Sequence, residues 1–277
     1  MLLTSHATAT RLEAADTLHT TRQTHTVAIL SPSSNSCTVP LGSGVAALTD
    51  PSFGRKLNRV TGFGMDSLIS EAELVAVEKL FAERGLDTPI TLCPLADPAT
   101  VELLGKRGYT VDRFMGCYVR ELSDRDLETG DEGGVKVTRL PAEREDEFRG
   151  VCVDGYEDGG RPIALLETVA RLAILRADTT LCIASVDGEV AGSAGIALLE
   201  TPQGDVAYFY VDSTLPAFRG KGVQAALLRQ RLRDAREMGV GLVYAQARMG
   251  SGSARNIERA GFGLAYTKSW LVRRRVE

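Results

Sequence analysis

Pro216-Ala217-Phe218-Arg219-Gly220-Lys221-Gly222-Val223-Gln224, running straight into Ala225-Ala226-Leu227-Leu228, reads as a glycine-punctuated turn that opens a helix. Gly220 and Gly222 carry no Cβ, so the backbone there can bend sharply and bring its N–H groups close to an anion. The helix that follows adds the positive end of its dipole. Ala225, Leu228, Leu232 and Ala235 recur at a helical period, Arg229, Arg233 and Arg236 fall between them, and Gly239 supplies the stop. A strand-like run, 206–211, precedes the turn. Strand, turn and helix in this order predict a phosphate-holding corner.

Two common phosphate motifs do not fit. A P-loop needs GxxxxGK followed by Ser or Thr, and a dinucleotide turn needs GxGxxG with an acidic residue some way downstream. The segment instead resembles the (Arg/Gln)-x-x-Gly-x-(Gly/Ala) signature of the GNAT superfamily of acyl-CoA-dependent N-acetyltransferases, here Arg219-Gly220-Lys221-Gly222-Val223-Gln224. Gln224 departs from it, standing where a small residue is usual. The order downstream matches the superfamily: a strand over 241–247, a short helix over 254–260, then Gly261-Phe262 entering a last strand that ends at Val272. Upstream, 135–140 reads as a strand, 142–156 and 164–176 as helices, and 180–199 as a hairpin turning at Asp187-Gly188. The resemblance spans 135–273 and implies an α+β class, a mixed α/β sheet of the GNAT acyltransferase fold.

The region before this half repeats part of it. Lys106-Arg107-Gly108-Tyr109, leading to Arg120, lines up with Arg259-Ala260-Gly261-Phe262, leading to Arg273, and each follows a helix closed by glycine, at Gly85 and Gly239. The first copy has diverged at the corner: Gly62 and Gly64 could mimic the turn, but Ser70 and Glu73 form a capping box that would satisfy the helix's own amides. Residues 1–122 are therefore read as a degenerate GNAT-like domain in a tandem arrangement. Residues 123–134 are an acidic, glycine-bearing linker, and 135–277 the catalytic domain.

Composition narrows the setting. The chain has 277 residues, of which 44% are hydrophobic, enough for two modest cores. Its net charge of -4 argues against general nucleic-acid binding. Five cysteines with no CxxC pair suit a reducing compartment, and His6, His19 and His25 have no ligand cluster near them, so no metal is expected. No apolar run reaches membrane-spanning length. The expectation is a cytoplasmic monomer or homodimer that binds neither membrane nor nucleic acid.

The resemblance implies the chemistry. Acetyl-CoA would be the acyl donor, its phosphates on the turn formed by Arg219, Gly220, Lys221, Gly222, Val223, Gln224 and Ala225. Pantetheine would lie along the strand ending Asp212-Ser213-Thr214, with Ser213 and Thr214 in contact, and Asn256, together with Ser251 and Ser253, would contact the pantetheine or the departing sulfur. The superfamily's sheet splays beyond this point, leaving amide donors for the thioester carbonyl. Asp212 and Tyr210 are the catalytic candidates, because an amine must arrive neutral and a base should sit near the strand end. By the two-residue period, Asp212 should continue the face that holds Tyr208 and Tyr210. The superfamily often places a general-acid tyrosine four residues before Gly-Phe; Ile257 stands there. Acidic Asp154, Glu157 and Asp158 lie where the superfamily builds acceptor specificity.

The expected reaction is acetyl transfer to the amine of a small molecule by direct attack in a ternary complex. The alternatives are a silent CoA-binding module and a GNAT scaffold turned to other chemistry, such as acyl-CoA decarboxylation or a cofactor-free reaction. A purely structural interaction protein would show no response to CoA.

Overall fold

A computed structural model describes residues 4–65, 69–128, 134–156 and 159–275. In chain order the first elements are α1 (His6–Leu30), β1 (Cys37–Leu41), β2 (Gly44–Leu48), α2 (Gly54–Leu57), β3 (Arg59–Thr61), α3 (Glu71–Glu83), β4 (Thr88–Leu92), α4 (Pro98–Lys106) and β5 (Thr110–Glu121). There follow β6 (Val135–Arg139), α5 (Glu145–Asp154), α6 (Ile163–Leu175), β7 (Thr179–Val186), β8 (Glu189–Thr201), β9 (Gly204–Thr214), α7 (Val223–Glu237), β10 (Leu242–Ala247), α8 (Gly252–Arg259) and β11 (Gly263–Arg273). The fold is α+β with mixed sheet, the class expected from the sequence.

The chain forms two compact units, and each takes a strand from the other half of the sequence. One holds Tyr118–Glu200 and Asp205–Leu264; the other holds Leu3–Cys117, Thr201–Gly204 and Ala265–Glu277. The first unit thus includes the end of β5, and the second most of β11. Of the acidic 123–134 segment, 129–133 lie outside the described residues, while Ser123–Asp126 close a capping box and Asp124 accepts from Arg236 at 2.6 Å.

In the first unit the strands run β5, β10, β9, β8, β7, β6. β6, β7 and β8 are antiparallel, and Asp187 (φ 52) and Gly188 (φ 86) make the predicted tight hairpin turn. β9 and β10 are parallel, with α7 as their crossover. Leu228, Leu232 and Ala235 of α7 pack with Ile196, Phe209, Val243, Ile257 and Phe262 into one buried cluster, while Val223, Ala226 and Leu227 join a second against β7 and β8. Both clusters seat the first turn of α7 beside the end of β9.

In the second unit β1 and β2 are antiparallel, β2 is antiparallel to β3, β3 is parallel to β4, and β4 is antiparallel to β11. α1 packs against β1, β2 and β3. Sequence periodicity does not predict this helix, because much of its buried face is polar: Glu13, Asp16, His19, Thr20 and Gln23 are all buried. Their partners come from distant segments. Lys268 donates to Asp16 at 2.6 Å and lies 2.9 Å from Glu13, Tyr266 donates to Glu13 at 2.6 Å, and Thr61 donates to Asp16 at 2.9 Å. Burial raises Glu13. Asp16, although equally buried, is held down at about 2 by the charges of Lys268 and Arg59 and by hydrogen bonds from Lys268 and Thr61.

Candidate active site

α7 opens on Gly222, whose φ of 83 places it in the left-handed region, and no side chain caps the helix. Gly220 has a φ of 80. A Cβ on either glycine would meet nothing within 4 Å, so glycine serves conformation here rather than space. Ala226 N–H bonds the Gly222 carbonyl at 3.0 Å, which leaves the first-turn amides of Val223, Gln224 and Ala225 without a partner in the helix. They border a cleft of about 770 Å³.

That cleft gathers most of the predicted residues. Asp212, Ser213, Thr214, Arg219, Gly220, Gly222, Val223, Gln224, Ala225 and Asn256 line it, together with Tyr156, Arg229 and Arg259. Lys221 and Tyr210 do not. The Lys221 ammonium stands 4.9 Å from the centre of the Phe218 ring, on the exposed shoulder of the turn. Arg219 donates to the Gly155 carbonyl at 3.1 Å, tying the turn to the end of α5.

Gln224 has a structural reason for departing from the signature. Its amide donates to Ser253 Oγ at 3.0 Å and accepts from Asn256 at 2.8 Å, so it links the first turns of α7 and α8. Ser251 caps α8 by accepting from Ala254 N–H. Ile257 is buried in the core and presents no hydroxyl to the cleft.

Beyond the turn the sheet opens. The parallel ladder between β9 and β10 pairs Val243 with Ala207, Tyr244 with Tyr208 and Ala245 with Phe209, yet β9 continues to Thr214. Val211 then adopts a φ of 54, rare for a β-branched residue. The kink resets the alternation. Tyr208 and Tyr210 share a face, their rings stacked 6.0 Å apart, and Tyr210 meets Thr179 at 2.8 Å. Asp212 does not continue that face: with Phe209 it turns to Arg231 of α7, which donates to Asp212 Oδ2 at 2.9 Å and also to Oδ1, and whose guanidinium carbon lies 4.6 Å from the centre of the Phe209 ring.

Neighbouring groups fix the same strand end. Tyr156 donates to the Asp212 carbonyl at 2.6 Å, and Ser213 donates to the Val151 carbonyl at 2.7 Å, so the Ser213 hydroxyl is spent on the scaffold. A Cβ on Gly155 would stand 1.9 Å from that hydroxyl. Burial, reinforced by the Asp212 charge, pushes the Tyr156 phenol up to about 12; burial does the same to Tyr210 against the opposing charge of Arg176. Both are neutral near neutral pH. Asp154 lies at the end of α5; Glu157 and Asp158 lie outside the described residues.

The other unit's counterpart corner is filled. Gly62 (φ 70) and Gly64 (φ 78) repeat the left-handed turn, but a Cβ on Gly62 would stand 1.9 Å from Thr17 Oγ1 of α1, and one on Gly64 would stand 2.8 Å from the Thr100 side chain of α4. Ser70 and Glu73 close the predicted capping box on α3, Glu73 N–H donating to Ser70 Oγ at 3.2 Å and Ser70 N–H to Glu73 Oε2 at 2.9 Å. The box occupies the Ser70 and Glu73 N–H groups, whereas no side chain caps the start of α7.

Arg231 and Tyr156, which hold the end of β9, are not among the sequence-predicted site residues, nor are Arg229 and Arg259 of the cleft lining. Arg231 left a trace: it lies three residues after Leu228 and four before Ala235, on the stripe assigned to the core, where an arginine needs a buried partner. Tyr156 left none. Among the described residues no group of His, Cys, Asp and Glu could hold a metal ion, and no helix is long and apolar enough to cross a membrane.

Residues 155–262 match the sequence profile of the acetyltransferase (GNAT) family, a span that holds every residue lining the cleft. Among solved structures, a GCN5-related N-acetyltransferase from Kribbella flavida superposes with a TM-score of 0.65 at 19% identity, covering 92% of this chain and 96% of that one. A tandem GNAT protein from the clavulanic acid biosynthesis pathway superposes at 0.61 with 15% identity, over 84% of this chain and 78% of that one. A GCN5-related N-acetyltransferase from Sphaerobacter thermophilus does so at 0.56 with 15% identity, over 83% and 71%. These likenesses bear on the fold alone. No curated protein is significantly similar to the chain.

Proposed function

The chain carries a domain of the GNAT acetyltransferase family at residues 155–262, and from that premise we propose that it transfers acetyl from acetyl-CoA to the amine of a small molecule, by direct attack in a ternary complex. One observation carries the reading: an uncapped helix start, with two glycines facing open space, stands in one cleft with the stretch of β9 that has left its parallel ladder.

The residues present fit the donor. The amides of Val223, Gln224 and Ala225 would hold its diphosphate at the positive end of α7. Arg229 and Arg259 border the same cleft and would add charge. The backbone from Val211 to Thr214 would pair with the pantetheine amides. Acetyl-CoA supplies an activated thioester; the C–N bond forms as the C–S bond breaks, and the proton lost by the amine ends on the thiol. The protein's part is alignment and stabilisation of the developing oxyanion by preorganised amides.

Asp212 serves in this reading as a positioning group rather than a base, because Arg231 occupies both carboxylate oxygens. The amine then arrives neutral from solution. The reading is tested by titrating CoA into the purified chain in a calorimeter and following thiol release from acetyl-CoA across a panel of amines. Binding with amine-dependent release is expected; binding without release would favour the silent CoA-binding module, and no binding would end the acyltransferase reading.

A further inference from the structure

Arg231 is fully buried, which for an arginine demands that several donors be used at once. They are. Its Nε donates to the Leu227 carbonyl at 3.1 Å on its own helix, and its Nη1 donates to the Gly195 carbonyl of β8 at 3.2 Å and to Asp212 Oδ2 at 2.9 Å. Its plane also lies over Phe209, so it grips β9 on both sides of Val211. Val211 is the residue that needs gripping. A β-branched residue at positive φ is strained by roughly 1–3 kcal/mol and persists where its surroundings over-determine it. On the far side of the kink, the Asp212 carbonyl is fixed by Tyr156.

We propose that Arg231 is a positioning residue for acyl transfer: through Asp212 it holds the left-handed bulge at Val211, and so aims the β9 backbone beyond Phe209 at the thioester. The inference rests on the acyltransferase reading above. It assigns two positions on α7 separate tasks: the first turn grips phosphate, and a residue two turns on sets the strand that faces the reacting carbonyl. A lysine could keep the buried charge, but it has no planar fork to hold both Asp212 oxygens while bonding β8.

The test uses Arg231→Lys with and without Val211→Gly, since glycine takes positive φ without strain. Arg231→Lys is expected to lower kcat for acetyl transfer by about tenfold to a hundredfold, with the calorimetric affinity for CoA unchanged. In the Val211→Gly background the same substitution is expected to lose much less. A crystal structure of Arg231→Lys gives a readout free of turnover: residue 211 is expected to return to negative φ. Should the variant not fold, Asp212→Asn carries the same comparison. An unchanged kcat, an equal loss in both backgrounds, or a bulge that persists without the arginine overturns the role. Failure of the wild-type chain to bind CoA would instead overturn the acyltransferase reading, and the conformation at 211 would still decide whether Arg231 holds the bulge.

Discussion

Asn256, in the middle of α8, donates its side-chain amide to the Gln224 carbonyl oxygen at 2.8 Å, joining the two helices that border the cleft. Gln224 spends its own amide on Ser253. Replacing Gln224 with alanine, the small residue of the usual signature, removes two half-buried hydrogen bonds worth about 1 kcal/mol each. Gln224→Ala is expected to lower thermal stability by about 1–2 kcal/mol while CoA affinity holds, as the α7 amides stay in place. A large loss of affinity, measured by calorimetry, would show that the side chain itself contacts the donor.

Gly222→Asp puts a carboxylate where the turn faces open space and forces an L-residue into a left-handed conformation costing roughly 1–2 kcal/mol. A Cβ there meets nothing within 4 Å, so the fold should survive by circular dichroism. The negative charge competes with phosphate for the helix start, and CoA affinity should fall by about a hundredfold or more. Retained affinity would place the diphosphate elsewhere.

Asp212→Asn separates a base from a clamp. A general base lost should depress turnover more at neutral pH than at high pH. With both oxygens held by Arg231, the expected result is a ratio of variant to wild-type kcat/KM that is flat with pH. The wild-type profile should rise with the fraction of neutral amine acceptor. A ratio that climbs toward one at high pH would restore Asp212 as the base.

The buried trio of Glu13, Asp16 and Lys268 supports the other unit. Lys268→Met leaves two buried carboxyls without their cation and should cost about 3–5 kcal/mol. The pH dependence has a defined sign. Asp16 has its folded pKa depressed to about 2, so its contribution is present above the unfolded value near 4 and is lost as pH falls between about 4 and 2. The stability gap between wild type and Asp16→Asn should therefore shrink across that window in chemical denaturation. A constant gap would mean that Asp16 contributes by packing alone.

Much of the site is legible in the sequence because it is local. The Gly220 and Gly222 turn, the stop at Gly239, the Asp187-Gly188 hairpin and the Ser70 capping box each depend on residues a few positions apart. Backbone conformational limits and one-turn hydrogen bonds dictate them. Over 135–273 the resemblance implies an order of elements, which the structure reproduces from β6 to β11.

Where periodicity fails, partners are distant. α1 buries carboxylates and threonines instead of an apolar stripe, because Lys268, Tyr266 and Thr61 arrive from elsewhere in the chain to satisfy them. The two-residue rule sets Asp212 beside Tyr210, and the bulge at Val211 turns it toward α7 instead.

By itself, then, the chain's sequence determined a left-handed glycine turn at an uncapped helix start, the elements around it and the capping box at Ser70, since glycine freedom and helix capping act within one turn. Which groups occupy the Asp212 carboxylate, and which side chains fill the corner at Gly62, was decided by tertiary structure alone. Buried charges and strained backbone are stable only when residues far apart in sequence converge on them, and no local pattern records that convergence.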